Sequence, residues 1–131
     1  MSDDGGVSVY EAVGGQPFFD ALCTRFYDRV ETDPVLRPLY PVDPAAFAAS
    51  RDWLALFLGQ YWGGPTTYSE QRGHPRLRMR HVDVRIAGAE RDAWERAMRA
   101  SVVEADLAVE LEARLLDYFA MAAQHMVNAP G

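Results

Sequence analysis

Apolar residues recur at steps of three and four along most of the chain, and this spacing predicts amphipathic helices. The first long helix is predicted to begin after Gly14-Gly15, with Pro17 near its start, and to end at Asp33-Pro34. Its apolar face consists of Phe18, Phe19, Leu22, Cys23, Phe26, Tyr27 and Val30. No segment shows the sustained alternation of a strand, so the pattern predicts an all-α fold.

Three further long helices are predicted, over residues 43–62, 89–104 and 106–128, with Asp43 as the N-cap of the first of them. The four prolines within residues 34–44 leave room only for a short helical turn. The predicted inward residues are Phe47, Leu54, Phe57, Leu58 and Tyr61, then Trp94, Ala97, Met98 and Val102, then Leu111, Leu115, Tyr118, Phe119, Ala122 and Met126.

The segments between these helices complete the predicted organisation. Residues 63–75 are rich in Gly, Thr, Ser and Pro and predict a loop, which a short helical segment over 75–81 follows. Four helices can form an ordinary antiparallel bundle, but a loop of this length is uncommon in a compact domain and is often functional. We expect residues 1–9 to be loosely ordered and residues 10–131 to form one domain.

The composition narrows the function classes. The chain has 131 residues, 49% hydrophobic and 24% charged, as in an ordinary globular domain. Its net charge of -6 argues against nucleic-acid binding, which needs clustered basic residues. No apolar run reaches the roughly 18 residues of a membrane span, and no basic segment followed by an apolar one opens the chain. These features predict a cytoplasmic protein.

The ligand inventory excludes most metal sites. Cys23 is the only cysteine, which rules out an internal disulfide, a cysteine zinc cluster and covalent haem attachment through two cysteines. No Glu-x-x-His pair of a di-iron bundle and no phosphate-binding glycine loop is present. One axial histidine that holds a large apolar cofactor is the metal scheme that these sparse ligands can support.

The three histidines differ in their surroundings. His74 precedes a proline, which favours a turn, and His125 lies in the predicted last turn of the final helix, where it suits the helix dipole. His81 lies near Arg78 and Arg80, whose charges keep an imidazole neutral and available to a metal. Taken alone, His81 is still more often a surface histidine than a ligand.

Tyr27, Tyr40 and Trp94 are placed on or near the inward faces of three different segments. Two interpretations remain open for them, ordinary core packing or a polar pocket within an apolar core. The two phenols can also bond one another. The predicted helix over 43–62 contains no histidine, so donors to a ligand bound beneath it must come from these three residues.

Several motifs, in order and with the right spacing, resemble group II truncated haemoglobins from about residue 10 to residue 128. They are Tyr10-Glu11-Ala12-Val13-Gly14-Gly15, Arg25-Phe26-Tyr27, Tyr40-Pro41, Gln60-Tyr61-Trp62-Gly63-Gly64-Pro65, Tyr68-Ser69-Glu70-Gln71-Arg72-Gly73-His74-Pro75, Leu77-Arg78-Met79-Arg80-His81 and Arg91-Asp92-Ala93-Trp94. The proline-rich residues 41–49 fit the family pattern least well. The resemblance implies a two-over-two helical sandwich around one non-covalent haem b.

The resemblance also implies roles for single residues. It places His81 as the proximal iron ligand, Tyr27 and Tyr40 at the two distal phenol positions and Trp94 at the tryptophan position of that group. Leu54 takes the position above the iron.

The resemblance specifies the ligand entrance and the partners of the haem propionates less closely. Ser50, one turn before Leu54, takes the site that holds a histidine in many larger globins, and the choice between Ser50 and Ala49 as the gate stays open. For the haem propionates, charge favours Arg78 and Arg80, and Tyr61 is a further candidate.

Donors that point at bound O₂ predict tight binding and slow release. Such behaviour suits a sensor, a scavenger or redox chemistry on O₂, NO or peroxide, with an unidentified electron donor, rather than bulk transport. CO is a further expected ligand, and a peroxidase-like or NO dioxygenase activity and a homo-oligomeric state both stay open. The alternatives are a dedicated haem peroxidase and a cofactor-free helical interaction module.

Overall fold

The computed structural model describes residues 7–73 and 85–130, and in these ranges the chain forms helices and no strands. The helices are α1 (Val9–Ala12), α2 (Gln16–Thr32), α3 (Pro44–Tyr61), α4 (Thr67–Arg72), α5 (Gly88–Val103) and α6 (Val109–His125), with one 3₁₀ turn at Arg37–Leu39. The predicted all-α class is confirmed. None of the described helices is long and apolar enough to cross a membrane.

Local sequence accounts for the ends of the two helices that carry most of the site. Gly15, at φ +84°, precedes α2, a conformation that L side chains rarely adopt. The Asp43 carboxylate accepts a hydrogen bond from the Ala46 amide at 2.9 Å, so Asp43 is the N-cap of α3 as predicted. After α3, Gly63 at φ +110° turns the chain away.

The helices pack as two pairs. α2 lies against α3, α5 lies against α6, and contact between α2 and α5 joins the two layers. The fully buried residues at this junction include Phe19, Leu22, Phe26, Val30, Met98, Val102 and Leu115. The predicted two-over-two sandwich is confirmed, and its core holds the faces that the three- and four-residue spacing indicated.

The largest departure from the predicted elements is α4, which lies inside the segment 63–75 that was expected to be a loop. The Gln60 side chain accepts a hydrogen bond from the Ser69 amide at 3.0 Å and donates to Ser69 Oγ at 2.7 Å. Tyr68 is 3% exposed and packs edge-on against Trp53 and Phe57. These contacts with α3 order a segment whose composition alone favours turns.

Smaller departures occur at the ends of other elements. The Ser8 side chain caps α1 by accepting a hydrogen bond from the Glu11 amide, and Val9, the first residue of α1, is 4% exposed. α6 begins three residues later than predicted because Asp106 has φ +54°, outside the helical region. The predicted short helix over 75–81 lies outside the described residues.

Candidate functional site

A cavity of about 560 Å³ lies between the helix pairs, and α2, α3, α4, α5 and α6 all contribute to its lining. Most of its surface is apolar, with hydroxyl, indole and charged groups among the lining side chains. This combination is typical of a site for a large apolar ligand that is oriented by a few polar contacts. Among residues 7–73 and 85–130 there is no cluster of three or more His, Cys, Asp or Glu residues that can hold a metal ion.

Tyr27 and Ser50 meet where α2 packs on α3. Tyr27 Oη lies 2.6 Å from Ser50 Oγ, and either oxygen can be the donor. Burial raises the pKa of Tyr27 to about 12, although the Ser50 hydrogen bond partly opposes this shift. Both residues line the cavity. The Tyr27 hydroxyl is therefore a protonated, oriented group at neutral pH.

Tyr40 and Trp94 form a second polar pair on the cavity lining. Burial raises the pKa of Tyr40 well above its ordinary value, the neighbouring Tyr27 adds to the shift, and the Trp94 indole, a hydrogen-bond donor, opposes it. The two phenols are able to bond one another, but their contact in the structure is between the rings, which pack edge-on at 5.3 Å. The Tyr27 hydroxyl has Ser50 as its partner.

Aromatic packing fixes the two phenols. Phe47, on the first turn of α3, packs edge-on against Tyr27 at 5.1 Å and against Tyr40 at 6.2 Å. The Arg37 guanidinium carbon lies 4.4 Å from the Phe47 ring centroid, so the Arg37 side chain covers the outer side of these aromatic rings. Trp94 packs edge-on against Phe26 at 5.4 Å, so its indole is also held in one orientation.

The cavity lining also includes charged residues. Arg72 lies with its guanidinium carbon 4.8 Å from the Trp53 ring centroid. Arg91 donates to Gln124 Oε1 at 2.8 Å and pairs with Asp92 at 3.0 Å. Both arginines line the cavity. They are suited to anionic groups at the edge of a bound ligand.

The residues predicted for the site fall into three groups: those on the cavity lining, those outside the described residues, and those that are described but lie off the lining. The cavity lining brings together Tyr27, Tyr40, Ser50, Leu54 and Trp94. His81, Arg78 and Arg80 lie outside the described residues.

Ala49 and Tyr61, the remaining candidates, are not part of the lining. Ala49 is exposed and lies away from the cavity, so of the two gate candidates only Ser50 lines it. Tyr61 was predicted to face inward but is 50% exposed, and it packs on Tyr118, which does line the cavity. The inward prediction for Tyr61 is wrong, because α3 ends at this residue and its ring reaches the surface.

Sequence reasoning did not select several residues of the lining, among them Trp53, Tyr68, Arg72, Arg91, Tyr118 and Met126. Three of them, Tyr68, Arg72 and Arg91, lie within the motifs that carry the family resemblance, so those motifs were a signal that could have selected them. Tyr118 and Met126 were assigned to the core of α6, and periodicity cannot distinguish a residue that faces other side chains from one that faces a cavity.

Comparison with known proteins finds a family and relatives that match most of the chain. The family model of bacterial-like globins matches residues 8–128. A group 2 truncated hemoglobin of Bacillus subtilis is 37% identical over 119 residues, which cover 91% of this chain and 87% of the relative.

Solved structures are similar as well. The thermostable hemoglobin of the actinobacterium Thermobifida fusca has a TM-score of 0.91 and 52% identity, with 95% of this chain and 100% of that chain covered. The truncated oxygen-avid haemoglobin of Bacillus subtilis has a TM-score of 0.85 and 35% identity, with 93% and 100% covered.

Proposed function

The chain belongs to the bacterial-like globin family as a group II truncated haemoglobin, and we propose that it binds O₂ tightly for redox chemistry or scavenging rather than for bulk transport. Members of this family hold haem and bind small gas ligands. The observation that carries the finer proposal is the convergence of Tyr27, Tyr40 and Trp94 on one cavity.

The residues present fit a haem. The cavity between the helix pairs has a largely apolar surface, with a smaller polar part to which Tyr27, Tyr40 and Trp94 contribute. We propose a non-covalent haem b, with His81 as its proximal ligand and Leu54 on the distal side. When bound, this group supplies an iron that takes O₂, CO, NO or peroxide at its sixth position.

Three donors of the chain would then favour O₂ over CO. On the iron that such a group would supply, O₂ would carry negative charge for these donors to stabilise, and CO would carry little. A hydrogen bond to a charged acceptor contributes roughly 1.5–3 kcal/mol, and each 1.4 kcal/mol is about tenfold in affinity. Tyr27 and Tyr40 are protonated at neutral pH, as an ordinary tyrosine is, and burial raises the pKa of both hydroxyls further. The oxygen avidity of the Bacillus subtilis relative supports the same proposal.

For the propionates we retain Arg78 and Arg80 and add two arginines that the structure brings to the cavity. Arg72 and Arg91 both line it, and Arg91 is oriented by its hydrogen bond to Gln124. A guanidinium can pair with a carboxylate through two parallel hydrogen bonds. Tyr61, half exposed and off the lining, is the weakest of the proposed propionate partners.

The experiment is ligand replacement on the haem-loaded protein by stopped flow. We expect a Soret band, slow O₂ release, and release at least roughly tenfold faster when Tyr27→Phe and Trp94→Phe are combined. CO release should change much less. Absence of a Soret band would refute haem binding, and an unchanged O₂ dissociation rate in the double variant would refute the role of these donors.

A further inference from the structure

We propose that Arg37 is a positioning residue, which holds the Tyr40 phenol at the cofactor cavity and so contributes to the preference for O₂ over CO. The inference rests on the proposed function, in which Tyr40 is one of the donors to bound O₂. It adds a residue that is not on the cavity lining and that neither the helical spacing nor the family motifs selected.

The first observation is that Arg37 holds the peptide groups on both sides of Tyr40. The carbonyl oxygen of Arg37 accepts a hydrogen bond from the Tyr40 amide at 3.2 Å. Its Nη1 donates to the Pro41 carbonyl oxygen at 2.9 Å and, over a longer distance of 3.4 Å, to the Tyr40 carbonyl oxygen. Hydrogen bonds from a charged donor are among the stronger ones. The backbone that carries the Tyr40 phenol is therefore tied to a single residue.

The second observation is that the same guanidinium reaches the first turn of α3. Its carbon lies 4.4 Å from the ring centroid of Phe47, and a cation over an aromatic face is attracted by the ring. Phe47 packs edge-on against Tyr40, with 6.2 Å between the ring centroids. Arg37 thus holds together the turn that carries Tyr40 and the ring against which the Tyr40 phenol packs.

The third observation is that the backbone of Arg37 is itself anchored. Its amide donates to the Asp33 carbonyl oxygen at 2.9 Å. The Asp33 carboxylate accepts hydrogen bonds from the amides of Val35 and Leu36 at 2.8 and 3.1 Å, and Leu36 is fully buried. Because the turn is held at its start, loss of the Arg37 side chain releases the Tyr40 end of the turn rather than the chain before it.

The charge of Arg37 has no other use in the part of the chain that the structure describes. Within residues 7–73 and 85–130, no carboxylate forms an ion pair with it. The hydrogen bonds of its guanidinium go to the backbone of Tyr40 and Pro41, and both of these residues line the cavity. The contacts of this guanidinium therefore support the cavity wall.

The position of Tyr40 matters because a hydrogen bond tolerates little displacement. A bond of the O–H···O kind spans roughly 2.5–3.0 Å, so a shift of the phenol by about half an ångström weakens its bond to a ligand. Arg37 does not touch the ligand and acts only through Tyr40. CO offers little charge to such a donor, so a displaced phenol should affect CO less than O₂.

The test compares Arg37→Met, Tyr40→Phe and the double variant in the haem-loaded protein by stopped-flow ligand replacement. Methionine keeps an unbranched side chain but has no N–H to donate. We expect O₂ dissociation roughly two- to tenfold faster in Arg37→Met, the range for one hydrogen bond between neutral groups. In the Tyr40→Phe background, Arg37→Met should cause little further change, because both substitutions remove the same contribution. CO dissociation should change much less.

Two further variants separate positioning from general stability. Arg37→Lys should recover part of the slow O₂ release, because an ammonium group can still donate to a carbonyl oxygen and lie against Phe47. Arg29→Met is the matched control, since Arg29 pairs with Glu104 at 2.9 Å and is not on the cavity lining. It should release O₂ at the wild-type rate.

The Soret band of each variant reports folding and haem binding, and Arg37→Gln replaces Arg37→Met in the comparison if the latter loses haem. Additive effects in the double variant would overturn the proposal, as would an equal rise in O₂ and CO release in Arg37→Met. Unchanged O₂ release in Tyr40→Phe would also overturn it, while the roles of Tyr27 and Trp94 would stand. A wild type without a Soret band would overturn the proposed function itself.

Discussion

The hydroxyl oxygens of Tyr27 and Ser50 lie 2.6 Å apart across the α2–α3 contact, at the lining of the cavity. This is a short hydrogen bond of the O–H···O kind. When Ser50 donates, the Tyr27 proton is free to point at a ligand, and when Tyr27 donates, it points away. Ser50 therefore governs the orientation of the Tyr27 hydroxyl, which is a role beyond that of a gate.

Replacing Ser50 by Ala should weaken the hold on O₂. With Ser50 as the donor, the variant removes the partner that leaves the Tyr27 proton pointing at the ligand, and a bond worth about 0.5–1.5 kcal/mol predicts an O₂ dissociation rate roughly two- to tenfold higher. Stopped-flow ligand replacement measures this rate. Ser50→Thr keeps the hydroxyl and should stay close to wild type, and a Thr variant as fast as the Ala variant would contradict the hydrogen-bond explanation.

Ser50 and Ala49 also allow a direct comparison at the entrance. Ser50→Phe places a bulky ring at the cavity lining and should slow CO association, with little change in haem content. Ala49→Phe is the matched control, since Ala49 is exposed and off the lining. Flash photolysis gives both rates. Equal slowing by the two variants would remove Ser50 from the gate.

Trp94→Phe should raise the O₂ dissociation rate by about tenfold or more, and by more than Tyr27→Phe does. The substitution removes an indole N–H, which can only donate and whose single proton lies next to the Tyr40 hydroxyl on the cavity lining. Loss of the Tyr27 phenol is milder because the Ser50 hydroxyl remains on the lining. CO dissociation, measured in the same way, should change much less. A proportional change for CO would assign Trp94 to core packing only.

His81→Ala should lose haem or bind it far more weakly, because we propose this imidazole as the iron ligand. The Soret absorbance after reconstitution measures the loss. His125→Ala is the matched control, since His125 is exposed at the end of α6. Retention of the wild-type spectrum and haem affinity in His81→Ala would show that the proximal assignment is wrong.

Much of the fold followed from spacing, and particular residues show why. Phe19, Leu22, Phe26 and Val30 recur at steps of three and four, and all four are fully buried on α2. α4 escaped prediction because its order comes from Gln60 and Tyr68 contacts with α3 rather than from its own composition. Tertiary contacts of this kind leave no local pattern.

For the candidate site, too, one part could be predicted from the sequence and another part could not. Tyr27, Tyr40, Ser50, Leu54 and Trp94 were placed by resemblance to a family, and the structure brings all five to one cavity. The pairing within this set could not be predicted. Which hydroxyl faces which partner depends on how α2, α3 and α5 cross, and that crossing is set by the whole core.

Stability at high pH should report the burial of Tyr27. Burial raises its pKa from 10.0 to about 12, so between pH 10 and 12 the unfolded chain loses a proton that the folded protein keeps. The unfolded state then binds fewer protons, and the free energy of unfolding falls as the pH rises. A shift of this size predicts that the free energy of unfolding falls by roughly 2–3 kcal/mol by pH 12.

Urea unfolding of the haem-loaded wild type and Tyr27→Phe at intervals from pH 9 to 12 measures this fall. The variant should decline less steeply, because Tyr40 and Tyr118, whose pKa values burial also raises, contribute equally to both proteins. Parallel curves for the two proteins would show that the Tyr27 hydroxyl titrates alike in the folded and unfolded states.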